Sequence, residues 1–220
     1  MNGVHDMGGF ECYGPVETQP DELFHDPWEK NVLALALAMG ATGSWNLDQS
    51  RAARESLPPD VYLSVGYYRI WLLALEKLLL AHELLSENEL NQHKVIDPSQ
   101  KIARVLSADD VPAVLAMGAP VSRHVDSVAA FSVGDKVVVH NRHLNTHTRL
   151  PAYIRNRTGI IHRIHGAHIF PDSHAIGNGE DPHWLYNVRF DAAELWGEPR
   201  IQASAVHVDC WEPYLRAEQE

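Results

Sequence analysis

"FSVGDKVVVH", residues 131–140, is where the chain changes its repeat. Gly134-Asp135 supplies a tight turn, and Val137 and Val139 then alternate with their neighbours, a period of two. Three more runs follow: "TGIIHRIHG" (158–166), "HWLYNVRF" (183–190) and "SAVHVDCW" (204–211). Each is short, rich in β-branched and aromatic residues, and bounded by turn residues. Several short strands with no long helix between them predict a small antiparallel barrel over 129–220.

Upstream the period is helical. In "DPWE", Asp26 suits an N-cap, Pro27 suits N1 and Glu29 completes a capping box. "NLDQSRAARESLPP" starts a second helix at Asn46, and Pro58-Pro59 should stop it. "VGYYRIWLLALEKLLLAHELL" (65–85) is apolar round most of its circumference, which predicts burial on more than one side. "SENEL" at Ser86 is another capping box, and Ser107–Asp110 repeats that spacing. The predicted fold class is therefore α+β. An irregular arm, 1–25, punctuated by Gly3, Gly8, Gly9, Gly14, Pro15 and Pro20, precedes a helical domain, 26–96. A linker with one short helix, 97–128, leads to the barrel domain, 129–220. The arm carries Val4, Phe10, Tyr13 and Val16, much apolar surface for a free terminus.

Of the 220 residues, 45% are hydrophobic and 21% charged, which excludes disorder for most of the chain. The formal net charge of −11 opposes a phosphate backbone. The apolar run around 31–43 falls far short of the about 20 residues a membrane span needs, and "MNGVHDMGGF" has no signal-peptide pattern. The 2 cysteines, Cys12 and Cys210, stand near opposite ends and read as free thiols. These features predict a cytoplasmic protein with neither a membrane nor a nucleic acid as partner.

The chain shows no complete reaction centre. It has no Gly-rich phosphate loop after a strand, no G-x-S-x-G, no H-E-x-x-H and no C-x-x-C. Histidine is frequent, with 14 copies, and His162, His165, His168, His174 and His183 fall in one region. A zinc site needs a closed set of three or four ligands. His162 and His165, in one strand, are expected on opposite faces, so no metal is assigned to this chain. Tyr67, Tyr68 and Trp71 form Y-Y-x-x-W; at helical spacing these make either a core stripe or the wall of a pocket. Arg51 on the preceding helix reads, without further context, as a surface charge or a pair with Glu55. Three arginines, Arg149, Arg155 and Arg157, crowd "NTHTRLPAYIRNRTG" (145–159), where Pro151 keeps the backbone out of helix.

Taken in order, "MNGVHDMGG", "YGPV", "DPWEK", "NLDQSR", "GYYRIWLLALEKLL", "FSVGDKVVV", "HTRLPAYIR", "AAELWG" and "VDCWEPYL" resemble the β subunit of nitrile hydratase over essentially the whole chain. The resemblance implies a helical domain with a long arm, then a Src-homology-3-like barrel. It implies addition of water to a nitrile, giving an amide, at an Fe(III) or Co(III) held by a partner α subunit through partly oxidised cysteines. None of that metal is held by this chain. The expected assembly is an αβ heterodimer that doubles to α2β2.

The same resemblance assigns site residues. Arg51 and Arg149 hydrogen-bond the oxygens of the oxidised cysteines, one fork from each domain. A sulfinate offers two acceptor oxygens, and guanidinium presents its donors as a fixed fork. Tyr67 joins them as a catalytic residue, while Leu47, Ser50, Tyr68 and Trp71 line the substrate pocket. Ser50 stands where many relatives have an aromatic, which suggests a roomier or more polar wall. Arg155 and Arg157 read as surface charges. Two relatives compete: thiocyanate hydrolase, which splits an equivalent of this chain over two shorter polypeptides, and maturation activators, which resemble only its N-terminal part. An RNA-binding barrel is the reading from another class, and the acidic charge opposes it.

Overall fold

Helix α1 (Pro27–Ala41) starts at the Asp26 capping box, and Glu29 also takes the amide of His25 at 2.7 Å. Helix α2 (Leu47–Glu55) starts at Asn46, whose side chain accepts from Gln49 N at 2.8 Å while Gln49 Oε1 takes the Asn46 amide at 2.9 Å. Pro58-Pro59 does more than stop a helix: Pro59 opens α3 (Pro59–Ser64), because a proline at the first helical position loses no hydrogen bond. Gly66 precedes α4 (Tyr67–Ala81), and Ser86 caps α5 (Glu87–Gln92). At Ser107 the hydroxyl meets the Asp110 carboxylate at 2.6 Å, ahead of α6 (Val111–Met117).

The computed structural model describes residues 2–14, 18, 22–98, 100–197 and 205–218. Pro15, Val16 and Pro20 of the expected arm, and Ser204 at the head of the last expected strand, lie outside the described residues. Two units emerge. The helical one holds Gly3–His5 and Glu11–Ala119; the other holds Asn2, Asp6–Phe10 and the chain from Pro120. Among the described residues no helix is long and apolar enough to cross a membrane.

In the helical unit α4 packs on α1 and α2. Trp45, Ala53, Ala74, Leu75 and Leu78 form its core. The expectation that α4 would be buried on several sides is corrected. Only Tyr68, Ala74, Leu75 and Leu78 are buried, at the spacing of one stripe, and Leu72, Leu73, Leu79 and Leu80 stay half-buried. The physical reason is that its main packing partners, α1 and α2, cover part of its circumference.

In the other unit six strands are antiparallel: β1 (Ser122–Arg123), β2 (Lys136–Val139), β3 (Thr158–His168), β4 (His183–Asp191), β5 (Ala205–Trp211) and β6 (Leu215–Ala217). The order is β5-β4-β3-β2-β6, with β1 on the far half of β3. Among the described residues this path does not close on itself, so the pairings make an antiparallel sheet. Two short helices, α7 (Pro171–His174) and α8 (Ala192–Trp196), flank β4 in sequence. Val137, Val139, Ile154, Tyr186, Val188 and Phe190 are completely buried. Gly159 in β3 lies against this core; a Cβ there would come within 2.6 Å of Val188 and 2.8 Å of Phe190.

Two expectations fail in this unit. Arg155 is buried, not a surface charge. Its guanidinium donates to Leu150 O at 3.0 Å and to Asn2 Oδ1, and it lies 3.9 Å from Asp6. Asp6 in turn accepts the Ala152 amide at 2.8 Å. The start of the arm is therefore tied down by an arginine, which sequence spacing alone does not reveal. His162 and His165 share a face. His162 meets the ring of His207 at 4.6 Å, and His165 bonds Asp209 at 3.0 Å. His207 and Asp209 are alternate residues of β5, hence on one face. Register shifts after Ile161 and Ile164 give β3 its extra residues and turn the two histidines the same way.

Candidate functional site

The capped start of α2 puts Leu47, Ser50 and Arg54 on one helical face, spaced three and four apart. Opposite them Trp71 projects from α4. Together with Leu75, Leu78 and residues of α1 and α6 they enclose a cavity of about 450 Å³. Its wall is largely apolar. The polar exceptions include Ser50 and Arg54, which bond each other: Arg54 Nη2 donates to Ser50 Oγ at 2.9 Å. The Arg54 guanidinium also lies 4.1 Å from the centre of the Trp71 ring, the geometry of a cation–π contact.

The expected residues therefore divide. Leu47, Ser50 and Trp71 come together in one wall. Tyr68 is buried and stacks on Phe24 at 5.3 Å, while Tyr67 stands 64% exposed beside it. Neither tyrosine lines the cavity. Arg51 pairs with Asp48 at 2.9 Å, one turn earlier on α2, and not with Glu55. Asp48 is buried and Arg51 is about one-third exposed, so the carboxylate anchors a side chain whose other donors stay accessible. Sequence reasoning missed Arg54. Its signal was there in the spacing: Arg54 follows Ser50 by one turn, the distance at which a guanidinium can reach a hydroxyl.

In the sheet unit Arg149 is exposed between two buried residues, Thr148 and Leu150. Its backbone is held by Tyr214. The Tyr214 hydroxyl oxygen accepts the Arg149 amide at 3.2 Å and the Thr148 hydroxyl at 3.1 Å, and donates to Asp172. Burial raises the pKa of Asp172, and burial together with the adjacent Asp172 charge raises that of Tyr214. The phenol thus keeps its proton and its role as donor. Leu150 O is fixed from the other side by Arg155. The chain around Arg149 is immobilised at three points while its guanidinium is left in the open. Nothing in the local sequence announces this, because Asp172 and Tyr214 come from distant segments.

Among the described residues no three His, Cys, Asp or Glu side chains are placed to hold a metal ion.

Two domain families cover the chain: nitrile hydratase beta subunit, N-terminal, matches residues 1–114, and its C-terminal counterpart matches 120–217. The chain belongs to the nitrile hydratase β-subunit family. The low-molecular weight cobalt-containing nitrile hydratase subunit beta of Rhodococcus rhodochrous is 39% identical over 225 residues, covering 98% of this chain and 99% of its own. The nitrile hydratase subunit beta of Pseudomonas putida is 37% identical over 217 residues, covering 98% and 99%. By contrast, the thiocyanate hydrolase subunit beta of Thiobacillus thioparus is 28% identical over 100 residues, 45% of this chain and 61% of its own. Likeness to nitrile hydratase β subunits runs end to end within a single chain, whereas the thiocyanate hydrolase subunit beta matches 45% of this chain and the subunit alpha 31%.

Proposed function

We propose that this chain serves as the β subunit of a nitrile hydratase, adding water to nitriles to give amides in complex with an α subunit. The observation that carries this reading is the end-to-end family likeness. The metal, Co(III) or Fe(III), belongs to the α subunit, and when bound it supplies Lewis acidity toward the nitrile. The assembly is α2β2 and works in the cytoplasm. The sheet unit takes the Src-homology-3-like barrel form, reached through the connecting segment 97–128.

The roles of individual residues are those that the family resemblance implies, and their chemistry agrees with them. Arg51 and Arg149 each offer a fork of N–H donors to the oxygens of the partner's oxidised cysteines. Buried sulfur oxyanions without such donors would be costly. Arg149 suits the task because its backbone is pinned and its head is free. Arg51 suits it because Asp48 fixes its orientation. Leu47, Ser50 and Trp71 form the wall that faces the substrate. Tyr67, exposed at the start of α4, offers a phenol for proton exchange, and Tyr68 supports Trp71 from behind.

The test is amide release from a small nitrile by this chain alone, by the α subunit alone, and by the two co-expressed with cobalt or iron. Activity is expected only in the complex. Turnover by the isolated β chain, or none by a metal-loaded complex, would overturn the reading.

A further inference from the structure

Arg54 poses a question that a wall-forming role for Ser50 and Trp71 leaves open. It stands half-buried in an apolar cavity, and burial pulls its guanidinium below its ordinary pKa. A cation withdrawn from water ordinarily finds a carboxylate. The acids around it are engaged elsewhere: Asp48 holds Arg51 at 2.9 Å and Glu55 meets His5 at 3.7 Å. Among the described residues no carboxylate lies within salt-bridge distance of Arg54. Its partners are the Ser50 hydroxyl and the face of Trp71. A guanidinium has five N–H donors, and Ser50 uses one. Asn46 adds an amide at the start of α2, and most of the remaining wall, including Leu47, Leu75, Leu78, Val114 and Leu115, is hydrocarbon.

An apolar sleeve with a guanidinium in its wall matches a particular chemistry: a short methylene chain carrying an anion. We propose that this cavity is a specificity subsite and that Arg54 selects nitriles whose far end is a carboxylate, that is, cyano-carboxylic acids. The inference rests on the reading above, in which Leu47, Ser50 and Trp71 face the substrate. Trp71 and Ser50 hold the guanidinium plane in place, so a carboxylate meets a preset fork and not a mobile charge. About 450 Å³ is ample for such a chain, being within the usual range of ligand cavities.

The experiment uses the metal-loaded αβ complex and two nitriles of equal length, 5-cyanopentanoate and hexanenitrile, in competition. The measured quantity is the ratio of their kcat/KM values. For the native complex this ratio is expected to favour the carboxylate. Arg54→Gln should lower it by ten-fold or more, and Arg54→Lys, which keeps the charge without the fork, by a smaller factor. Ser50→Ala, which frees one side of the guanidinium, should also lower the ratio and provides a second variant should Arg54→Gln fail to assemble. A merely structural role would depress both rates in parallel and leave the ratio in place, which would overturn the proposal. So would a native complex that hydrates hexanenitrile but not 5-cyanopentanoate. A complex that hydrates neither overturns the nitrile-hydrating reading itself. Loss of assembly in the Arg54 variants with an unmoved ratio for Ser50→Ala would assign the guanidinium to the α subunit instead and refute the substrate role.

Discussion

In the sheet unit Val137, Val139, Ile154, Tyr186, Val188, Phe190 and Tyr214 are completely buried, whereas no core residue of the helical unit's Trp45–Leu78 cluster reaches that state. The sheet unit finishes its own core. The helical unit arranges its apolar side chains round a cavity and leaves several leucines of α4 half-covered. The two arginines follow the same division. Arg149 rides on a backbone locked by Tyr214 and Arg155, while Arg51 is steadied through its side chain by Asp48. One unit is a rigid mount, and the other is a surface with room left in it for a ligand or a partner.

The largest expected effect tests that contrast directly. Phe190→Ala, in the closed core, should cost about 3–5 kcal/mol of stability. Trp71→Ala, at the cavity wall, should cost clearly less, and should instead alter discrimination between small aliphatic and aromatic nitriles in the complex. Urea unfolding and competition kinetics on both variants decide it. A larger stability loss at Trp71, with relative rates untouched, would make the aromatic stripe of α4 plain core and break the comparison.

Next in size is the effect on turnover at the mount. A charge-assisted hydrogen bond contributes about 1.5–3 kcal/mol, so Arg149→Lys should lower activity about ten-fold or more in a folded, metal-loaded complex. Arg51→Lys should behave alike, and Arg157→Lys, an exposed position, should be nearly silent. Near-normal turnover in Arg149→Lys beside a strong loss in Arg157→Lys would mean that the wrong arginine has been chosen.

How far the sequence could be read follows from these same residues. Local signals held: Asn46 with Gln49 and Ser86 with Glu89 cap helices because a cap is made within four residues. The change of period at 131–140 marks the first long strand, β2. What stayed illegible depends on contacts between distant segments. Arg155 looked like its neighbour Arg157 until Asn2 and Asp6 came to meet it. His162 and His165 looked opposed until two bulges in β3 aligned them. At the cavity, Leu47, Ser50 and Trp71 were named from family likeness, and Arg54 was missed because its importance lies in what surrounds it, not in its spacing alone.

Arg155 gives a smaller but sharper test of the sheet unit as a mount. Arg155→Met keeps the volume and removes the donors. Leaving the Leu150 carbonyl and the Asn2 and Asp6 side chains without them should cost about 1–3 kcal/mol. The distinguishing readout is limited proteolysis: the segment Asp6–Phe10 should become cleavable in the variant under conditions where the sheet survives. Equal resistance in both proteins would show that Tyr153 and Trp196, which flank Gly8 and Gly9, hold the segment without the arginine.

The smallest effect at neutral pH belongs to the helical unit and appears only in acid. Glu89 accepts the amides of Ile96 at 2.9 Å, Ser86 at 2.9 Å and Asp97 at 3.2 Å, together with the Ser86 hydroxyl at 3.0 Å. Those backbone donors favour the carboxylate and draw its pKa from 4.5 down to about 2. A depressed folded-state value means that the unfolded chain binds this proton first as the pH falls. The stabilisation is therefore complete above 4.5 and is lost progressively between 4.5 and about 2. Hydrogen exchange at the amides of Ile96 and Asp97, corrected for intrinsic rates, reads this locally. Protection should fall across that window in the native chain. In Glu89→Gln, which presents one carbonyl oxygen in place of two charged ones, it should already be low at pH 7 and vary little below it. Sheet-unit amides such as that of Val188 should not follow the Glu89 window, since their protection owes nothing to this carboxylate. If Ile96 and Asp97 keep the same protection in both proteins from pH 7 to pH 2, the loop after α5 is held by its packing, and the helical unit is less dependent on local polar ties than its open core implies.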